Sequence, residues 1–320
     1  MLSASTSFSH VAPRSVIPIS PRTGSEDSPR LVPSLSPTLQ AYLADIVREH
    51  STPGGPLMSL ILFGSAATGG YAAPGSDVDL LLVLNDAADA AAHVNVRDGV
   101  ADLERRHGLV KTRVQPIGAL AGALVAFADR VTANVRSFFV CTRADLLSGE
   151  PKQILGITAA QARFVDRVAI PSIVRSATTV WGEDLLPEVP FTPIRSFDVW
   201  KAFFGLWNQV LLTVLVFPLL PGATKYAMDA LKRSVHNCYF CHHGWPAPLA
   251  VEVEFFEGRY GPMPPLRELL ALRHTYRSSF AFVLRCLPTI ARLHAHTARD
   301  VSFPRDLHRE ANDPAIPPTA

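Results

Sequence analysis

Two acids, Asp77 and Asp79, open the apolar run DVDLLLVL at residues 77–84. A strand projects residues two apart from one face, so both carboxylates converge on one point. Two carboxylates about 6–7 Å apart repel by about 2–3 kcal/mol at an effective dielectric near 20, and a divalent cation reverses the sign of that interaction. Paired carboxylate oxygens, with phosphate oxygens completing the shell, are the usual protein setting for Mg²⁺. The preceding apolar run, LMSLILF at residues 57–63, ends on Gly64 and Ser65 and a turn of small residues. Glycine lets a ligand approach the backbone there, and free N–H groups with a hydroxyl suit phosphate oxygens. Strand, Gly-Ser, eleven residues, Asp-Val-Asp and strand thus predict a phosphate cradle beside a metal pair, with Asp77 and Asp79 as the ligands.

Blander readings fare less well. Solvated acids capping a strand end would explain Asp77 and Asp79 alone, but not Gly64 and Ser65 at this distance before them. The stretch GSAATGGY has the G-x-x-x-x-G of a P-loop, yet Gly70 and Tyr71 stand where Lys and Ser or Thr are required. A sugar-nucleotide and Mn²⁺ motif would follow a longer nucleotide-binding fold, whereas one strand precedes these acids.

The positioning elements are readable from periodicity. Residues 37–50 have helical spacing and break at STPGGP. Residues 57–63 and 77–84 are strand-length apolar runs, 85–108 an Ala-rich helix, 109–117 (LVKTRVQPI) a third strand and 136–142 a short one. Residues 158–190 read as a helix closing onto Trp181 and Gly182. Beyond Pro190 three long helical patterns follow, at 197–217, 224–244 and 265–296. The fold expected is α+β: a small mixed sheet flanked by helices, followed by an all-α helical bundle. The expected organisation is a disordered Ser- and Pro-rich tail at 1–36, an α/β domain at 37–190, a helical domain at 191–300 and a flexible tail at 301–320.

This arrangement resembles the DNA polymerase beta-like nucleotidyltransferase superfamily, whose signature is Gly-Ser followed after roughly ten residues by Asp-x-Asp at a strand start. Gly69 in the turn, Ser76 before the first acid and LLLVL after the second extend the match. The resemblance is closest to bacterial single-substrate members, such as aminoglycoside adenylyltransferases and the small nucleotidyltransferases of toxin–antitoxin pairs; TTVWGEDLLP at 178–187 looks like the segment closing this domain there. It implies that two Mg²⁺ ions bridge Asp77, Asp79 and the triphosphate of an NTP held by Gly64 and Ser65. A hydroxyl acceptor on a small molecule or protein then attacks the α-phosphorus and pyrophosphate leaves. The family's third acid usually comes from a later strand, but LVKTRVQPI shows Lys111, Arg113 and Gln115 on its polar face. Either the acid comes from elsewhere, with Glu104 and Asp102 on the preceding helix as candidates, or the activated nucleophile needs no protein base, or the enzyme is slow or inactive; Arg113 suits a phosphate contact. A protein lacking the third acid would be a catalytically impaired nucleotide sensor or partner-binding protein of the same fold.

Residues 1–190 carry 16 Lys and Arg against 18 Asp and Glu, and residues 191–310 carry 14 against 9. A basic back half suits a phosphorylated ligand, and Lys225 is expected to reach a triphosphate; the surplus is too small and scattered for duplex nucleic acid. Four cysteines make no disulfide framework, and no charged n-region with an apolar h-region opens the sequence, so a cytoplasmic setting is expected, with only a faint transit-peptide likeness in the tail. The run at 210–220 contains Pro218, falls short of a membrane crossing and reads as a buried helix. In HNCYFCHHG, Cys238 and Cys241 lie on one helix without a second arm, so core cysteines fit better than zinc ligands. Trp200, Phe203, Phe204 and Trp207 read as bundle core.

Overall fold

The computed structural model describes residues 35–52, 55–67, 78–109, 137–158, 167–220 and 222–304. Helix α1 (Pro37–His50) starts where the Ser36 hydroxyl accepts from the Leu39 N–H, with Pro37 in the first turn, where its missing donor costs nothing. Its buried Leu39, Tyr42, Leu43, Ile46 and Val47 recur at three- and four-residue spacing. Strand β1 (Leu57–Phe63) pairs antiparallel with β2 (Asp79–Leu84), and helix α2 (Ala90–Arg106) follows, capped by the Asp89 carboxylate on the Ala92 N–H at 2.8 Å. Strand β3 (Phe138–Thr142) lies parallel to β2, and the short helices α3 (Arg143–Leu147) and α4 (Pro151–Ile154) come after it. Helix α5 (Ala169–Ser176) leads into β4 (Thr178–Gly182), antiparallel to β1.

Among the described residues the sheet is four-stranded, in the order β3-β2-β1-β4. It is apolar on both faces. Leu60, Leu62, Leu80, Leu82 and Leu84 pack under α1 and α2, while Ile61, Phe63, Leu81 and Val83 pack against Ile170 and Val174 of α5 and Leu146 of α3. The helices of the second half are α6 (Ser196–Val216), α7 (Thr224–His243), α8 (Leu249–Tyr260), α9 (Pro264–His274) and α10 (Phe280–Asp300), around their own core of Leu206, Val210, Leu231, Phe256 and Phe282. The fold is the expected α+β one.

Several expectations are corrected. Residues 178–182 form a strand, not a helix end, because Thr178, Thr179, Val180 and Trp181 are β-branched or aromatic, and Thr178, Thr179 and Trp181 pair with β1 around an irregularity at Val180. The pattern at 265–296 is two helices: Thr275 ends α9, and the Ser279 hydroxyl caps α10 by accepting from the Phe282 N–H at 3.2 Å. Helix α8 was not foreseen. The strand expected at 109–117 lies, beyond Leu109, outside the described residues. Cys238 packs in the core of the second half, and Cys241 in a separate cluster with Val168, Ile194, Val199 and Phe240 that joins the two halves. The run at 210–220 starts in the apolar C-terminal half of α6 and continues into a 3-10 turn at Phe217–Leu219: Val210 and Val216 are buried, but Leu215 is 68% exposed. Phe203 packs on the core, whereas Phe204 is 58% exposed and Trp200 also faces outward.

One buried polar group ties α6, α7 and α10. The His294 Nδ1–H donates to the Val199 carbonyl at 3.0 Å, which can only accept, so Nε2 is left to accept from the Ser234 hydroxyl at 3.3 Å. Burial pushes the imidazole down to about 4 from the usual 6.5, and the hydrogen bond to Val199 acts in the opposite sense. The folded protein therefore refuses a proton that the unfolded chain accepts below pH 6.5. Stability from this group is complete above pH 6.5 and falls as pH drops towards 4, by at most about 3 kcal/mol. Urea unfolding at pH 7 and pH 4.5 is expected to show that loss, and His294→Asn to flatten it over this window.

Candidate nucleotide-binding site

The end of β1 and the start of β2 meet because their register pairs Phe63 with Asp79. Phe63 is extended, at φ −139°, and Gly64 then turns the chain at φ +69° into a single 3-10 turn, Gly64–Ala66, closed by the Ala67 N–H on the Gly64 carbonyl at 3.2 Å. A side chain at Gly64 would meet two obstacles. The left-handed backbone is strained for an L residue, and a Cβ would stand 2.6 Å from Asp79 Oδ2. The carboxylate thus lies directly over the bare backbone of the turn. Asp79 shares its face with Leu81 and Val83, the side of the sheet covered by α5.

That side also supplies Ser176, which the sequence did not mark. The antiparallel pairing of Leu62 with Thr178 carries Ser176 to the level of Gly64, whose N–H donates to the Ser176 Oγ at 3.5 Å. The same hydroxyl donates to the Ile173 carbonyl at 2.9 Å, which fixes its direction. Nothing local distinguishes Ser176, since 112 residues separate the partners. Beside it, the Arg175 guanidinium sits 4.3 Å from the Trp245 ring centroid and 5.8 Å from that of Phe191, a cation–π contact that fastens α5 to the end of α7.

Of the sequence-predicted residues, Gly64, Ser65 and Asp79 come together at one end of the sheet; Ser65 is half-buried within the turn. Asp77 and Arg113 lie outside the described residues. Lys225 stands in the first turn of α7, its Nζ 5.4 Å from the Tyr276 ring. The other end of α7, at Phe240, Cys241 and Trp245, is the one that meets α5. Sixteen residues of helix separate Lys225 from Cys241, about 24 Å of rise, so Lys225 stands at the end of α7 away from α5. Glu104 lies on the α1 and α2 side of the sheet, opposite Asp79. It accepts from the Ser137 hydroxyl, and it helps burial to push the Tyr42 phenol upward. Asp102 is engaged with Arg105 at 3.1 Å and Arg106 at 3.0 Å on the exposed side of α2. Among the described residues no cluster of three or more His, Cys, Asp or Glu forms a metal cage, and the Asp79 carboxylate is the acidic donor that lies against the Gly64 turn.

This geometry makes a testable distinction between strain and close approach. Gly108 also has a positive φ, +67°, but nothing lies within 4 Å of a Cβ there. Gly108→Ala is expected to cost about 1–2 kcal/mol in urea unfolding, the backbone term alone. Gly64→Ala is expected to cost more, because its Cβ must also displace the Asp79 carboxylate, and the same urea unfolding registers the difference.

Comparison with known proteins agrees with the motif. Residues 42–118, which include Gly64, Ser65, Asp77, Asp79 and Arg113, match the family model of the nucleotidyltransferase domain. Among solved structures, the crystal structure of spectinomycin adenyltransferase AAD(9) from Enterococcus faecialis with ATP and spectinomycin superposes with a TM-score of 0.46 at 12% identity, over 79% of this chain and 97% of that one. No curated protein matches. Over residues 42–118 the chain therefore resembles the nucleotidyltransferase domain, the family to which its Gly-Ser and Asp-x-Asp spacing points.

Proposed function

We propose that the protein transfers a nucleoside monophosphate from an NTP to a hydroxyl acceptor on a small molecule or protein, with Mg²⁺ held by Asp77 and Asp79. The observation that carries this reading is the Asp79 carboxylate lying 2.6 Å from where a Gly64 Cβ would be, a close approach to the turn that glycine permits. An acidic oxygen beside bare backbone suits a polyphosphate and a hard cation together, and would repel the polyphosphate alone. The residues present fit the metal: carboxylate oxygens are its preferred donors, and its remaining positions belong to phosphate oxygens and water. When bound, Mg²⁺ supplies charge neutralisation on the phosphates as the α-phosphorus is attacked.

The chain's own contributions follow. The missing side chain of Gly64 lets the phosphates approach the Gly64–Ala66 turn, and Ser65 offers them its hydroxyl. Ser176 anchors the Gly64 amide, and so the turn, to α5. The acceptor oxygen forms a bond to the α-phosphorus while the bond from that phosphorus to the bridging oxygen of the β-phosphate breaks, its electron pair leaving with pyrophosphate. The acceptor's proton passes to solvent or to the leaving group. Arg113 and Lys225 are the further phosphate contacts in this reading, Lys225 from the first turn of α7.

A second reading, a nucleotide-binding sensor or partner-binding protein without turnover, is favoured by one observation. The two acids weighed as a third carboxylate are held elsewhere, Glu104 by Ser137 and Asp102 by Arg105 and Arg106.

Calorimetry with ATP and Mg²⁺, followed by a pyrophosphate-release assay over candidate acceptors, separates the two. Binding with release supports the transferase, and binding without release under any acceptor supports the sensor. Asp77→Asn and Asp79→Asn are each expected to lower release by about 10²–10⁴-fold, the several kcal/mol of transition-state stabilisation that a metal supplies. Their unfolding free energy should change by under about 1 kcal/mol. Full turnover in either variant would refute the assignment.

A further inference from the structure

Helix α6 carries two charged residues, Asp198, which is buried, and Lys201, which is half-buried beside the outward strip, and among the described residues it is covered on one side only. Ala202, Leu206, Val210 and Thr213 are buried against the other helices. At 100° per residue, Phe197, Trp200, Phe204, Asn208, Leu211 and Leu215 fall on the opposite side in one strip about 80° wide. Phe197 is 71% exposed, and Trp200 and Leu219 are each 39% exposed. No Asp, Glu, Lys or Arg lies in that strip. A soluble helix keeps charge on its outer face, so this one is built to be covered.

We propose that a second copy of this chain covers it, by antiparallel pairing of α6 with the partner's α6. Three observations carry this occupant. The exposed fractions of the strip amount to about 600 Å² of mainly apolar surface per copy, close to the roughly 800 Å² per partner of a standard interface. The strip is self-complementary about the helix midpoint at Leu206: a two-fold axis there sets Phe197 against the partner's Leu215 and Trp200 beside the partner's Leu211, large side chains on smaller ones. Asn208, the polar residue of the strip, falls opposite the partner's Phe204 near the axis, within reach of the partner's Asn208, where one buried amide pair fixes register. Aromatic residues without charges at the centre are the composition of interface cores.

A membrane is the other cover to consider, because the 24-residue segment Ser196–Leu219 contains an 18-residue stretch of mean hydropathy 1.7 and so satisfies the length and composition of a crossing helix. Crossing would strip Leu206 and Val210 from the core and part His294 from the Val199 carbonyl. A helix lying on a membrane surface keeps a strongly charged face to water, and the other face of α6 is core.

Sedimentation velocity of the full chain at about 50 µM, well above a micromolar dissociation constant, is expected to show a dimer. Phe204→Glu or Leu215→Lys should each weaken it at least about 100-fold with an unchanged circular dichroism spectrum. Phe197→Glu combined with Leu215→Lys in one chain should restore it, since each new charge faces its opposite across the axis. A monomer at this concentration, a dimer indifferent to these charges, or failure of the double variant to recover would overturn the proposal. So would a monomer that floats with phosphatidylcholine–phosphatidylglycerol vesicles.

Discussion

The candidate site depends on the approach of the Asp79 carboxylate to the bare backbone of Gly64. That approach depends in turn on the register of β1 with β2. A slip of one residue would turn Asp79 to the α1 and α2 side, into a layer of leucines. Both faces of β2 are apolar, so hydrophobic alternation alone cannot exclude the slip. The polar ends of the strand do so. Asp79 opens it opposite Phe63, and beyond it the Asn85 N–H donates to the Pro56 carbonyl at 2.9 Å and its side-chain amide to the Gly55 carbonyl at 3.3 Å. Between these two polar brackets the five residues of LLLVL fit in one register, and the acid is held over the turn.

The two faces of the sheet thereby acquire different roles. The leucine side, under α1 and α2, is core with a few satisfied polar groups, including Glu104 on the Ser137 hydroxyl. The α5 side combines core with the site, because Ser176 ends α5 at the level of Gly64. Cation–π contact of Arg175 with Trp245 and the cluster of Val168, Ile194, Phe240 and Cys241 attach this side to the helices that follow. Whatever occupies the turn therefore sits beside the junction of the two halves of the molecule.

How much of this was legible in the sequence follows the range of the interactions. Helices α1 and α7 were readable because their ends are marked locally, by Ser36 and Pro37 at one start and by Gly244, at φ +72°, at the other's finish. Strand β1 and the acid at the start of β2 were readable from short apolar runs beside small or acidic residues. Strand β4 was not, since it follows α5 without a breaking residue and is defined by pairing with residues more than 110 positions earlier. Ser176 was hidden for the same reason. The outward face of α6 was read as core because hydropathy reports what a residue prefers, not whether a neighbour is there to cover it.

The late arrival of β4 has a consequence for synthesis. As the chain leaves the ribosome at about 5–20 residues per second, β1 waits several seconds for the strand that will cover its edge. During that interval its backbone groups on that side, and the Gly64 amide that Ser176 will later take, face water or other chains. An unpaired apolar edge invites intermolecular pairing. A nascent chain stalled before residue 178 would therefore carry an assembled acid-and-turn motif on an unshielded strand, the form of this protein most in need of a chaperone.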